Sequence, residues 1–223
     1  MRTLPLLLLP LSGCFGLQSN ISVDTGYWGD SAESETNGTP VSEDLTGKVY
    51  AVGPTDMTLV EPAQLAELYL ENVGKDILIY VASETTTTLQ LQAALAADDG
   101  SQNPCETVRD LPQADWLNPS FQAGPADMEI GFGGQPATLQ DVELTGTFSP
   151  DAGSFGDGTL AGVVDARELA AALGGIDACE MLDGMGSSCI PCDDGELQCA
   201  SVRFEDVQGT EASMSFDPTP TCP

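Results

Sequence analysis

Histidine is missing from all 223 residues. That absence removes Ser-His-Asp and Cys-His catalysis, histidine-bound zinc and the most common general base at neutral pH. Bases of any kind are scarce: six Lys and Arg stand against 35 Asp and Glu, a formal charge of −29. The two lysines, Lys48 and Lys75, have no serine three residues upstream, which argues against a serine–lysine acyl enzyme. No phosphate loop, dinucleotide fingerprint or G-x-S-x-G nucleophile turn occurs. Aromatic residues make up 6% of the chain. No run after the first dozen residues approaches the roughly twenty apolar residues of a membrane helix, so the remainder is expected to be soluble.

So acidic a chain repels nucleic acid, whose binding needs clustered Lys and Arg to displace counterions. It repels anionic lipid headgroups as well. Hydration of the surface is the simplest role for so many carboxylates. Asp193-Asp194-Gly195-Glu196, and Asp151 with Asp157, are spaced too loosely to define a cation site, and no run follows the EF-hand pattern. No cofactor is expected.

The N-terminus carries the clearest signal. Arg2 precedes eight apolar residues, Leu4 to Leu11, two of them proline. As a helix they would reach about 12 Å, against roughly 30 Å of hydrocarbon core, which suits a removable signal better than a span. The next tetrad, Leu11-Ser12-Gly13-Cys14, resembles the lipobox of bacterial lipoproteins at all four positions. That resemblance implies a signal peptide over 1–13, cleavage before Cys14, a diacylglyceryl thioether on Cys14 and an acylated new N-terminus. Each buried methylene contributes roughly 0.8 kcal/mol, so two or three chains make a lasting anchor. Phe15 stands where the enteric members of that family place an inner-membrane aspartate, so the outer membrane is the preferred location. Cleavage would remove one base, Arg2, and no acid, which leaves five bases and a charge of −30.

Seven cysteines less Cys14 leave six: Cys105, Cys179, Cys189, Cys192, Cys199 and Cys222. An even set in an exported chain points to three disulfides. Fifteen pairings are open. The favoured one places two bonds inside the Cys179–Cys199 cluster and joins the outliers Cys105 and Cys222. Closing so long a loop contributes about 4–5 kcal/mol in the chain-entropy model. Cys189-Ile190-Pro191-Cys192 also has the spacing of a dithiol redox site. A reactive pair normally opens a helix, whose N-terminus lowers the thiol pKa. This pair instead lies between Gly186-Ser187-Ser188 and Asp193-Asp194-Gly195, where acids would raise it. Structural disulfides are therefore preferred to a thiol–disulfide oxidoreductase or a four-cysteine zinc site.

Residues 14–44 read as a lipidated, acidic, disordered tether: Gln18 to Asp44 holds six acids and no base, with little to bury. From 45 to 217 short period-two segments suggest a β-rich domain, followed by a tail over 218–223. Lys48–Val52 and Met57–Val60 flank a turn at Gly53-Pro54. Ile77–Val81 is an unbroken apolar run fit for a central strand. Leu89, Leu91, Ala93 and Leu95 alternate with polar or small residues, as do Met128, Ile130 and Phe132. Val142, Leu144, Gly146 and Phe148 give the clearest half-buried strand. A turn at 149–153 sends the chain back through Leu160, Gly162 and Val164, and Ala200, Val202 and Phe204 form a last strand. Helices are expected from Pro62 to near Gly74, after Asp165 until Gly174-Gly175, and from Asp177 to near Gly184. Residues 97–118 read as a polar loop. The fold class is mainly β: a single antiparallel β-barrel or β-sandwich with two or three short helices, disulfide-stapled. Inward glycines at 146 and 162 suit a strongly curved sheet.

The spacing Cys179-x9-Cys189-x2-Cys192-x6-Cys199 with its Asp-Asp-Gly, and the Thr145–Asp151 hairpin, resemble acidic, cysteine-containing lipoproteins of the myxobacterial type. That resemblance implies no activity. The expected function is that of a membrane-anchored lipoprotein with a non-catalytic role in envelope structure or recognition, partnered by an envelope protein. The alternative is a barrel that holds an apolar ligand such as lipid.

Overall fold

The alternation of Val142, Leu144, Gly146 and Phe148 with Glu143, Thr145 and Thr147 is realised on a 14-residue strand, with the first set buried. A computed structural model describes residues 38–63, 66, 75–132, 135–172 and 175–222; the expected signal peptide, Cys14 and most of the expected helix from Pro62 lie outside them. Among the described residues ten strands are formed: β1 (Val49–Val52), β2 (Thr58–Glu61), β3 (Ile77–Glu84), β4 (Thr88–Leu95), β5 (Arg109–Asp110), β6 (Ala114–Leu117), β7 (Ser120–Phe132), β8 (Gln135–Phe148), β9 (Ser154–Asp165) and β10 (Cys199–Glu211). Helices α1 (Ala166–Ala172) and α2 (Ala178–Gly184) sit between β9 and β10.

The sheet closes. Its order runs β1-β3-β4-β6-β7-β8-β9-β10, and β10 returns to β1 through Tyr50↔Glu211 and Ala51↔Thr210, giving an eight-stranded antiparallel barrel. The choice between barrel and sandwich is thereby settled. Gly53–Asp56 is a turn, closed by the bond from Asp56 N to Gly53 O, but it does not make a hairpin. Both β1 and β2 run antiparallel to β10, one after the other along the same edge. Two short strands, β5 and β6, replace part of the loop expected over 97–118 and pair in turn with β4. Their brevity, two and four residues, leaves too little period-two pattern to read.

Bulges bend the long strands. Asp141, Asp157 and Asp206 have φ of 50°, 51° and 54°, one each in β8, β9 and β10, beside register shifts in those ladders. Asp tolerates left-handed backbone better than most residues, and each bulge sharpens the local twist a barrel needs. They also explain why β10 changes the parity of its buried face, from Phe204 to Val207 and Gly209.

Five rings fill the middle: Tyr50, Trp116, Phe121, Phe148 and Phe155. Phe148 lies 5.2–5.8 Å from the other four. Few aromatics are needed because they are gathered in one place. Two glycines make the room. A Cβ on Gly209 would lie 2.2 Å from the Phe155 ring, and one on Gly146 would lie 2.7 Å from Phe121. Tyr50 donates its hydroxyl to Ala152 O at 2.9 Å, which satisfies the one polar atom of a fully buried side chain. Burial, aided by the Glu211 carboxylate, pushes its phenol far above the usual range.

The run Ile77–Val81 is apolar throughout because both its faces are covered. Ile79 and Val81 join the barrel core, while Leu78 and Tyr80 face outward under Met214 and Phe216 of the C-terminal segment. Tyr80 and Phe216 stack at 4.5 Å, 10° from parallel. The expected alternation in β4 fades at its end: Leu95 is exposed, while Ala94 and Ala96 are buried. At the other margin of the domain, residues 38–44 of the expected tether belong to the folded unit. Val41 is buried, donates its N–H to Asn118 Oδ1 at 2.7 Å and accepts from Asn118 Nδ2 at 3.0 Å.

Candidate functional site: the cysteine cap and the barrel interior

Between β9 and β10 the chain leaves the barrel to form a cap, and most of the chemistry foreseen from the sequence is concentrated there. The cap begins where Asp165 accepts a hydrogen bond from Arg167 N at 2.9 Å. Glu168, three residues after Asp165, does not reach back to the start of the helix but accepts from Thr138 N across on β8. Asp177 does cap its helix, taking Cys179 N at 2.9 Å and Glu180 N at 3.1 Å. Leu182 of α2 then packs with Val164 and Ala200, and with Val202, which also touches the main core. The cap thus continues the barrel's apolar interior at one end.

All six expected cysteines are paired. Cys105 joins Cys222 across 117 residues, Cys179 joins Cys189 across 10, and Cys192 joins Cys199 across 7. This is the favoured pairing, two bonds in the cluster and one between the outliers. The dithiol alternative is corrected by it: Cys189 and Cys192 are not bonded to each other but to partners on either side. The physical cause is the isolated bridge that Ile190 forms with Cys199, exchanging bonds of 2.7 and 3.0 Å, which sets the loop antiparallel to the start of β10. Cys192 is thereby set against Cys199, and Cys189 against α2. With every thiol of the cluster committed to a disulfide, the four-cysteine zinc alternative has no thiolate to use.

Among the described residues one group has metal-donor atoms close together: Asp165, Cys192 and Cys199. Two of its three members share a disulfide, and the third is taken. The Arg167 guanidinium holds Asp165 at 2.6–3.0 Å and reaches Asp194 at 2.8 Å. Hydrogen bonding from Arg167 keeps the Asp165 carboxyl below its ordinary value. Asp194 also lies low, first because Glu196 N donates to it and then because of Arg167. The acidic loop Asp193-Asp194-Gly195-Glu196 is therefore a turn tied down by a cation. Asp151 is engaged likewise, by Ser149 Oγ at 2.7 Å and Gly153 N at 3.2 Å. Arg167 is the organising residue that sequence reasoning missed. Its only sequence signal is rarity, a base in a chain with six.

The interior offers no open lumen at the level of the five rings, since their edges and faces meet one another. An apolar ligand there would have to displace them. A surface groove of about 280 Å³ lies beside the cap, between Glu61–Ala63 of the segment after β2, Leu182, Ser187 and Ser188. Comparison with protein families, with curated proteins and with solved structures finds no match. Cys14 lies outside the described residues.

Proposed function

We propose that this chain is an exported lipoprotein, held on a membrane through lipid on Cys14, whose disulfide-stapled β-barrel serves envelope structure or recognition rather than catalysis. The observation that supports it best is the division of the cysteines. Six pair among themselves in the folded unit, and the seventh is the one that stands in the lipobox. Three disulfides accord with an oxidising compartment outside the cytoplasm. A charge of −29 gives the protein surface no affinity for anionic headgroups, so the acyl chains do the holding. The absence of histidine and of any nucleophile motif supports a non-catalytic role. Outer-membrane residence remains part of this proposal, resting on Phe15.

A barrel is also a scaffold that binding modules use. With five rings at its centre, such a module would recognise its partner on the outer surface, and an envelope protein fits that better than a lipid held inside. The test is metabolic labelling with an alkyne fatty acid in a bacterium with an outer membrane. The wild-type chain is expected to carry the label and to need detergent for release, and Cys14→Ser to lose the label. An unlabelled wild-type chain recovered from the aqueous phase would overturn the reading.

A further inference from the structure

The three disulfides differ in what they hold and how easily they are reached. Cys179–Cys189 and Cys192–Cys199 lie within the cap, where Cys199 is fully buried and the other three sulfur-bearing residues are half-buried. Cys105 and Cys222 are both exposed. Their bond fastens residues 212–222, which contain no strand or helix, over the outer face of β1 and β3. Otherwise this segment is held by the Tyr80–Phe216 stack, by Met214, by Ala212 N donating to Val49 O, and by Gln102, which exchanges bonds of 2.8 Å with the Asp217 backbone.

We propose that Cys105–Cys222 is a redox latch and that residues 212–222 are a strap it releases. The reductant is a dithiol, of a small molecule or a protein. Its thiolate attacks one latch sulfur, forming a mixed disulfide and expelling the other cysteine as thiolate. The second thiol of the reductant then displaces the first cysteine, so two electrons and two protons pass to the protein and the dithiol becomes a disulfide. Attack needs access to sulfur, which the latch gives and Cys199 does not. Release uncovers Val49, Ala51, Leu78 and Tyr80, an apolar strip on an otherwise acidic molecule. The latch works whether or not the chain bears lipid.

The test is stepwise reduction of the purified protein by dithiothreitol, with alkylation and peptide mass spectrometry at each step and hydrogen exchange alongside. Cys105 and Cys222 are expected to become alkylated at roughly tenfold lower dithiol concentration than the cap cysteines. Amides of 213–222 should then exchange freely while those of β1 and β3 stay protected. A Cys105→Ser/Cys222→Ser variant should show the same exchange without reductant. Cap cysteines that react at the same or lower dithiol concentration, or a strap that stays protected once both latch sulfurs are alkylated, would overturn the proposal.

Discussion

The barrel centre and its periphery are held by different physics. At the centre, Tyr50, Trp116, Phe121, Phe148 and Phe155 are buried to within a few per cent; the long strands β7, β8 and β9 carry the three phenylalanines, while Tyr50 lies on β1 and Trp116 on β6. Their stabilisation is burial and close packing, which needs nothing from the solvent's redox state or pH. The periphery, made of the cap after β9 and the segment after β10, has short helices and little to bury. It relies on three disulfides, on backbone N–H groups held by Asp165, Asp177, Asp194 and Asp217, and on Arg167. Five of the chain's rings are gathered in the barrel core; outside it the Tyr80–Phe216 stack holds the C-terminal segment together with the Cys105–Cys222 bond.

The contrast predicts a ranking of effects. Phe148→Ala removes the ring that meets all four others and should cost roughly 3–5 kcal/mol in denaturant unfolding, with loss spread over every strand. Replacing Cys179 and Cys189 by serine should cost about 2–3 kcal/mol by the chain-entropy model. Hydrogen exchange should show that loss in α2 and residues 185–199, with β7 and β8 still protected. Equal loss of protection in the barrel would break the distinction.

Acid should act on the periphery first. Asp165 has a folded-state pKa below its unfolded value, so its contribution is fully present above the unfolded value and is lost as pH falls through the folded one. Carboxyl NMR titration should place Asp165 below an ordinary aspartate, and Arg167→Gln should move it upward. On acidification the cap amides should lose protection before those of β8. The smallest effect belongs to Leu117, half exposed on β6, where Leu117→Ser should change stability by no more than about 0.5 kcal/mol.

The same division governs what could be read from the sequence. Period-two burial exposed β8 and the start of β4, because a half-buried strand writes its environment into alternate residues, while the unbroken apolar run Ile77–Val81 exposed β3. It did not reveal that Leu78 and Tyr80 face a strap rather than a second sheet, since an apolar residue does not say what covers it. The bulges at Asp141, Asp157 and Asp206 went unseen because a positive φ at aspartate leaves no mark on hydropathy. Cysteine count and spacing found the staples, since an even set divides naturally into a near cluster and two outliers. Arg167 escaped because its partners, Asp165 and Asp194, are brought together only by the fold. The short β5 and β6 offered too few residues for any period.

In a lipoprotein of this design Cys14 stands apart from the other six cysteines. Mass spectrometry of the membrane-extracted protein, alkylated without reductant and digested, tests it directly. The prediction is an N-terminal peptide beginning at Cys14 with a diacylglyceryl thioether, together with the three linked pairs 105–222, 179–189 and 192–199 and no alkylated cysteine. A peptide containing Cys14 alkylated and still joined to residues 1–13, or Cys14 disulfide-bonded to one of the six, would contradict it.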